Sequence, residues 1–229
     1  VQERWVDLYD YRIRLRERDL VESKPVDAAQ LDADRAEMRR RIALGTATYR
    51  DVLAGPEQEK RDRLTCMMAL ARLTFLAGNL DASLDWAGKY LAEVERSKTF
   101  WTDAAATYPK ERPIYEAKLE GARRQEAILR DLRGSVLFKL GRLEAAEKEL
   151  DVVLAIDPER ASAYLNRGIV RQELGNWDPA RADYTEFLSR SRLDPEDPAV
   201  REAAERLLQV EALVREEDEL RRRIDAPGE

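Results

Sequence analysis

The sequence predicts an all-α fold, and three observations carry that prediction. Charged residues make up 38% of the 229 positions and aromatics only 7%. With Ala, Leu, Glu and Arg abundant, that mix suits helices that are apolar on one stripe and solvated elsewhere. No stretch alternates β-branched and polar residues between turn signals, so nothing reads as strand. Finally, "LGRLEAAEKELDVVLAIDPERASAYLNRGIVRQELGNWDPARADYTEFL" carries a pattern of glycine, small and aromatic residues that returns after 34 positions, from Gly141 to Gly175.

Helix punctuation places the elements in order. A first helix runs through "QERWVDLYDYRIRLRERDL", with Trp5, Leu8, Tyr9 and Ile13 on one stripe. "ESKPVD" breaks it. Asp27 is placed to cap a second helix, with Gln30 three residues on as in a capping box. Leu31, Met38, Ile42, Tyr49, Val52 and Leu53 form its apolar face until "AGP" at 54–56, and Gly45 offers a point of bending. A third helix, about 57–77, shows Leu64, Met67, Leu70, Ala71 and Phe75 at helical spacing and ends at Gly78. A fourth covers about 81–97. The next segment, "SKTFWTDAAATYPKERP" (97–113), is expected to be mostly connector, with at most one helical turn from Thr102. Pro113 suits the first turn of a long helix over about 114–140. Four more helices are expected at about 143–156, 160–174, 178–191 and 198–225. Asp157-Pro158 separates the first two, and Asp178-Pro179 and Asp197-Pro198 are start signals. The tail "DAPGE" is expected to fray.

A 34-residue period is the length of a helix–turn–helix unit that stacks on its neighbours. With Gly141 and Gly175 at the bends, the units are 127–160 and 161–194. In the first, Gly134 and Leu137 hold the small and large positions of helix A, Ala146 and Leu150 those of helix B, and Pro158 closes the unit. Tyr164, Gly168, Ala180 and Tyr184 match in the second. On these residues the sequence resembles the tetratricopeptide repeat family. Arg133 and Arg167 stand where that family usually has leucine, and Arg171 replaces a large apolar residue. The second closing proline comes late, at Pro195. These departures are expected to weaken individual helix contacts without changing the period.

A fainter copy spans 64–97, with Gly78 at its bend and Met67, Leu70, Ala71 and Ser83 matching, while Phe75 and Trp86 sit one place off. The interval from Gly78 to Gly141 is 63 residues rather than a multiple of 34, which implies an insertion. The expected organisation is a helical pair over 1–55, a degenerate hairpin over 56–97, and an insertion with the start of a long helix over 98–126. Two repeat units follow over 127–194, then a capping helix and tail over 195–229. Arrays of this kind expose an apolar end that a last helix must cover; Leu207, Leu208, Val214 and Leu220 are available for that. The resemblance implies a right-handed superhelix.

The resemblance also implies work: the concave face, lined by the A helices, generally binds peptides or proteins in this family. Helix A positions facing such a groove are Ile128, Asp131, Ser135, Phe138 and Lys139, then Ser162, Leu165, Ile169, Gln172 and Glu173, with Asn166 on a neighbouring position. In the faint copy they are Thr65, Met68, Arg72, Phe75 and Leu76. Met68, Phe75, Phe138, Leu165 and Ile169 would give this lining the apolar character of binding surfaces. Two other readings stay open: that several of these residues are core, or that the insertion or an end helix fills the groove. Members that clamp the carboxylate tail of heat-shock chaperones need lysine, asparagine and arginine at set groove positions. Here Asn166 matches, but Asp131 and Leu165 stand where lysine is required and Ser135 where asparagine is, so that clamp is not expected.

Composition narrows the rest. The net charge of −6 and a pI near 5.2 set a field that repels nucleic acid and anionic lipid. The basic runs "RIRLRER" (12–18) and "RRR" (39–41) lie among acids and read as solvated helix faces. The chain has no histidine, and its one cysteine, Cys66, sits in the apolar run "LTCMMALARL", where an inert buried thiol is expected. No phosphate loop, metal motif or nucleophile–base pair is found, so neither enzyme activity nor a cofactor or metal is expected.

The expectation is a non-catalytic adaptor with a protein or peptide partner, bacterial in its Ala/Arg/Asp-rich style. An alternative is an assembly strut built from the charged terminal helices, 2–21 and 198–225, although "VREEDELRRRI" offers only a fragmentary heptad in Val214, Leu220 and Ile224. The chain begins at Val1 rather than Met. That leans the expectation toward an exported or membrane-anchored setting, with membrane contact only through a removed N-terminal anchor.

Overall fold

The computed structural model describes residues 28–55 and 60–225, and every regular element within them is an α-helix. The helix expected at the start of the chain, the Asp27 cap and the end of the tail lie outside the described residues. Eight helices are described: α1 (Ala28–Ala54), α2 (Lys60–Leu76), α3 (Leu80–Thr107), α4 (Arg112–Lys139), α5 (Leu143–Ile156), α6 (Ala161–Glu173), α7 (Trp177–Arg190) and α8 (Pro198–Asp225). The chain divides into two units, Val1–Glu93 and Val94–Glu229.

In the first unit α1 packs on α2 across buried Ile42 and Leu73, with Met38, Tyr49 and Leu76 around them. Met38, Ile42 and Tyr49 recur at helical spacing, which places them on one stripe of α1. Cys66, Met67, Leu70 and Ala71 are buried along α2, so the thiol is part of the core. Gly78 forms the bend to α3 at φ +76°, in the left-handed region that costs a side chain most. Past the bend, Asn79 Oδ1 accepts the Ala82 N–H at 3.2 Å as an N-cap. Ser83 is fully buried because its hydroxyl donates to the Ala71 carbonyl at 2.8 Å.

In the second unit the segment expected as a connector is mostly helix: α3 runs on to Thr107, and the break is confined to Tyr108–Glu111. The threonines there look like loop residues, yet each turns its hydroxyl back along the helix. Thr99 donates to the Glu95 carbonyl, Thr102 to Lys98 and Thr107 to Asp103, at 3.1, 2.8 and 2.8 Å. A hydroxyl bonded this way no longer competes with the helix ladder. Pro109, which biases Tyr108 away from helical geometry, is the stop signal. The helices α3 and α4 thus form the two arms of a hairpin, 28 residues each.

The α4–α5 and α6–α7 pairs are the two expected repeat hairpins, with Gly141 (φ +71°) and Gly175 (φ +77°) at their bends. The small helix A positions hold the hairpins shut. A Cβ on Gly134 would lie 3.0 Å from Leu150 Cγ, and one on Gly168 would lie 2.8 Å from Tyr184 Cε1.

The arginines that replace leucine do not leave weak contacts; they exchange apolar packing for ion pairs. Asp183, buried in α7, accepts Arg167 Nη2 at 2.7 Å, Arg167 Nε at 3.0 Å and Arg171 Nη1 at 2.9 Å. Arg167 also reaches Asp151, and Arg171 reaches Glu147, both on α5 at 2.7 Å. One network thus joins three helices across both repeats. Arg133 pairs with Glu149 at 3.3 Å in the same style.

Last, α8 lies on α7 with Ala203, Val210 and Val214 buried. Val210 and Val214 join Ala180 and Tyr184 in one cluster, with Leu165, Ile169, Trp177 and Leu207 packed against it. Leu207 and Val214 pack with Ala180 and Tyr184 of α7. Leu208 does not: it is 65% exposed, and Val210, one turn from Val214, takes the buried place.

Candidate partner-binding face

Ile128, Asp131, Ser135, Phe138 and Lys139 fall on one face of α4, at spacings of three, four and three residues and then one. The corresponding face of α6 carries Ser162, Leu165, Ile169, Gln172 and Glu173. Asp131 shows that the two faces adjoin. Its carboxylate accepts Asn166 Nδ2 at 2.8 Å, Arg160 Nε at 3.0 Å and Ser162 Oγ at 3.2 Å. Three donors around a largely buried carboxylate saturate most of its acceptor sites. Asp131 and Asn166, expected to line the groove for a partner, are instead bonded to each other and fasten α6 to α4. The one clamp-type side chain, Asn166, spends its amide inside the fold.

The second half of the α6 face is engaged as well. Leu165 and Ile169 are half-buried against the Tyr184–Val210–Val214 cluster, so α8 takes up part of the apolar lining. Gln172 Oε1 accepts the Tyr184 hydroxyl at 2.6 Å, with Arg206 Nη1 of α8 at 3.4 Å. Burial raises the Tyr184 hydroxyl to about 12, against which the Arg206 guanidinium pulls only partly. It stays a neutral donor across the physiological range.

What stays open to solvent is the α4 side of the face. Phe138 is half-buried, Lys139 is exposed, and Ile128 is 41% exposed. Ser135 is half-buried, with its hydroxyl donating to its own helix at the Asp131 carbonyl. On α6, Ser162 and Glu173 are exposed. Met68, Arg72 and Phe75 belong to the other unit, where they are half-buried on α2; Thr65 is exposed there and Leu76 packs on Ile42 and Leu73.

A further exposed surface lies on the α3–α4 hairpin, mostly within the segment expected to be a connector. Phe100, Tyr108 and Ile114 are 60%, 54% and 58% exposed, beside Trp101 stacked on Tyr115 with ring centroids 6.0 Å apart. Lys118 caps the Trp101 ring at 4.2 Å. The density of aromatics over 100–115 is the signal that marks it. Among the described residues, no group of acids or cysteine is placed to hold a metal ion. No described helix is long and apolar enough to cross a membrane.

Comparison with known proteins bears on the repeat segment first. The tetratricopeptide repeat family model matches residues 148–208. No curated protein matches the chain in sequence. Among solved structures, the crystal structure of BtubC (BKLC) from P. vanneervenii is similar over 100% of this chain and 94% of its own, at 17% identity and a TM-score of 0.52. The first TPR of Spaghetti (RPAP3), bound to the HSP90 peptide SRMEEVD, is similar over 66% of this chain and 94% of its own, at 19% identity and a TM-score of 0.46. The Arabidopsis OM64 TPR domain is similar over 64% and 94%, at 19% identity and 0.45. At 17% identity the first of these likenesses is one of fold.

Proposed function

We propose that this chain, whose residues 148–208 match the tetratricopeptide repeat family model, is a non-catalytic scaffold holding a protein or peptide partner on the helix A face of its repeats. The observation that carries this reading is the open part of that face. Phe138 is a half-buried aromatic beside exposed Lys139, with exposed Ile128 about 15 Å further along the same helix, and it is not part of the cluster that α8 covers. Aromatic residues, phenylalanine among them, are enriched at the cores of protein interfaces. The partner's contact would centre on Phe138, Lys139, Ser135 and Ile128, with Glu173 and Ser162 at its edge. Leu165, Ile169 and Gln172 would support the face from behind.

The strut reading gains nothing from α8, since Val214 is used inside the fold.

The test is affinity capture from a lysate of the source organism, comparing the natural chain with Phe138→Glu plus Lys139→Glu. Helicity and thermal midpoint are measured alongside. Loss of captured partners with the fold unchanged is expected. Partners that survive the double change on a folded chain place the contact elsewhere. Ile169→Glu is unsuitable for this purpose, because Ile169 packs against the Tyr184 cluster and its loss would confuse binding with unfolding.

A further inference from the structure

In the Val1–Glu93 unit, α1 and the end of α2 enclose an open cleft of about 660 Å³. Its floor includes Met38, Ile42 and Leu76, and Arg35, Arg39 and Arg50 stand along α1 at its rim. Acids outnumber bases in this chain, 46 to 40, yet no carboxylate lines the cleft among the described residues. At about 100° per residue, positions 35, 39 and 50 fall within a sector of about 60° on one helix face.

The neighbouring basic residues are differently employed. Arg40 and Arg41 both bond Glu37, at 2.7 Å each, and these bonds hold its carboxyl down at about 2. Arg35 has Asp32 at 3.6 Å. Arg39 and Arg50 are exposed and make no ion pair among the described residues. The run read from sequence as one solvated basic face is therefore split: Arg40 and Arg41 are neutralised along the helix, while Arg39 turns to the cleft.

We propose that this cleft binds an acidic peptide segment of a protein partner, with carboxylates on Arg39 and Arg50 and an apolar side chain over Ile42 and Leu76. Spacing favours a peptide over a small anion. Arg39 and Arg50 are eleven residues apart, about 16 Å along a helix that rises about 1.5 Å per residue. One carboxylate or phosphate cannot engage both. An extended chain, rising about 3.3 Å per residue and showing every second side chain on one face, spans that distance with a same-face spacing of four to six residues. The ligand chemistry is thus two acidic residues four or six apart on one face of the strand, with an apolar residue on the same face between them to meet the floor. The guanidinium forks give paired hydrogen bonds to each carboxylate, and the apolar floor rejects a purely hydrophilic strand. The site uses α1 and the outer end of α2, not the helix A face of 127–194, so it stands or falls separately from the groove proposed above.

The test uses the whole chain and a panel of blocked, fluorescein-labelled heptapeptides carrying Glu at the first and fifth or first and seventh places and Leu or Phe at the third, so that all three side chains share one face. Matched peptides carry Gln in place of Glu, and binding is read by fluorescence anisotropy. Saturable binding of Glu peptides is expected, at least tenfold weaker for the Gln versions and for Arg39→Glu plus Arg50→Glu. Arg40→Glu, off the cleft, should bind like the natural chain. Arg39 and Arg50 are exposed, so the double variant should keep its helicity; Arg39→Gln plus Arg50→Gln gives a milder check. The proposal is overturned if no Glu peptide saturates, if Gln peptides bind equally, or if the double variant binds unchanged. It is equally overturned if a short single-stranded DNA binds more tightly than every peptide, since the cleft would then be a phosphate site.

Discussion

Gly168 shows at the scale of one residue what the repeat demands. Its α-carbon faces the Tyr184 ring so closely that a methyl group would sit 2.8 and 2.9 Å from two ring carbons. That ring is fully buried and its hydroxyl is tied to Gln172, so it has little room to yield. Gly168→Ala should lower stability by about 1–3 kcal/mol, the usual cost of forcing volume into a packed site. Gly121, also helical, has nothing within 4 Å of where its Cβ would be. Gly121→Ala should raise stability by about 0.5–1 kcal/mol, because alanine loses less freedom in a helix. Chemical denaturation of both variants checks the pair, and two shifts of the same sign would contradict the packing described. The glycines were legible in the sequence because a period of 34 aligns them. Asp131 was not legible. Its donors lie 29, 31 and 35 residues away, and nothing local tells a solvated groove acid from one that fastens two helices.

At the scale of elements, the α3–α4 hairpin was the feature the sequence hid. Threonine and aromatic side chains over 99–108 mimic a connector, and whether they bond along the helix is decided only once the helix exists. The turn glycines and the Asp197 cap, whose Oδ1 accepts the Ala199 N–H at 2.9 Å, act within a few residues and could be read directly. The hairpin is fastened by buried Glu126, which accepts Lys98 of α3 and Arg130 of α4 at 2.8 Å each. Burial disfavours the ionised carboxylate, but the hydrogen bonds and charges of Lys98 and Arg130 outweigh it, so the group lies below its ordinary value of 4.5. The folded value being the lower one, its stabilisation is complete above about pH 4.5 and fades as pH falls through the folded value. Glu126→Gln should lower the thermal midpoint at neutral pH and flatten its decline between about pH 5 and about pH 3. A variant with the same acid slope as the natural chain would show that other carboxylates govern acid unfolding.

At the scale of the molecule, the terminal helix separates the two functions considered for this chain. As a cap, α8 spends its apolar residues inward: Val210 and Val214 meet Tyr184 and Ala180, with Leu207, Leu165 and Ile169 around them. As a strut, the same residues would have to form a seam with a second copy, which needs apolar positions repeating along the outer face. Outside the buried stripe Leu208 is exposed, but its helical neighbours Glu205, Glu211 and Ala212 offer no continuous apolar seam. Light scattering of the full chain should therefore report a monomer at all concentrations tried. Deleting 198–229 should uncover the Tyr184 cluster, and repeat arrays without an end cap lose solubility. The shortened chain is expected to associate with rising concentration and to melt earlier. The strut reading requires the opposite order, a stable dimer that becomes a well-behaved monomer on the same deletion. That outcome would also shift the search for partners from the Phe138 face to α8.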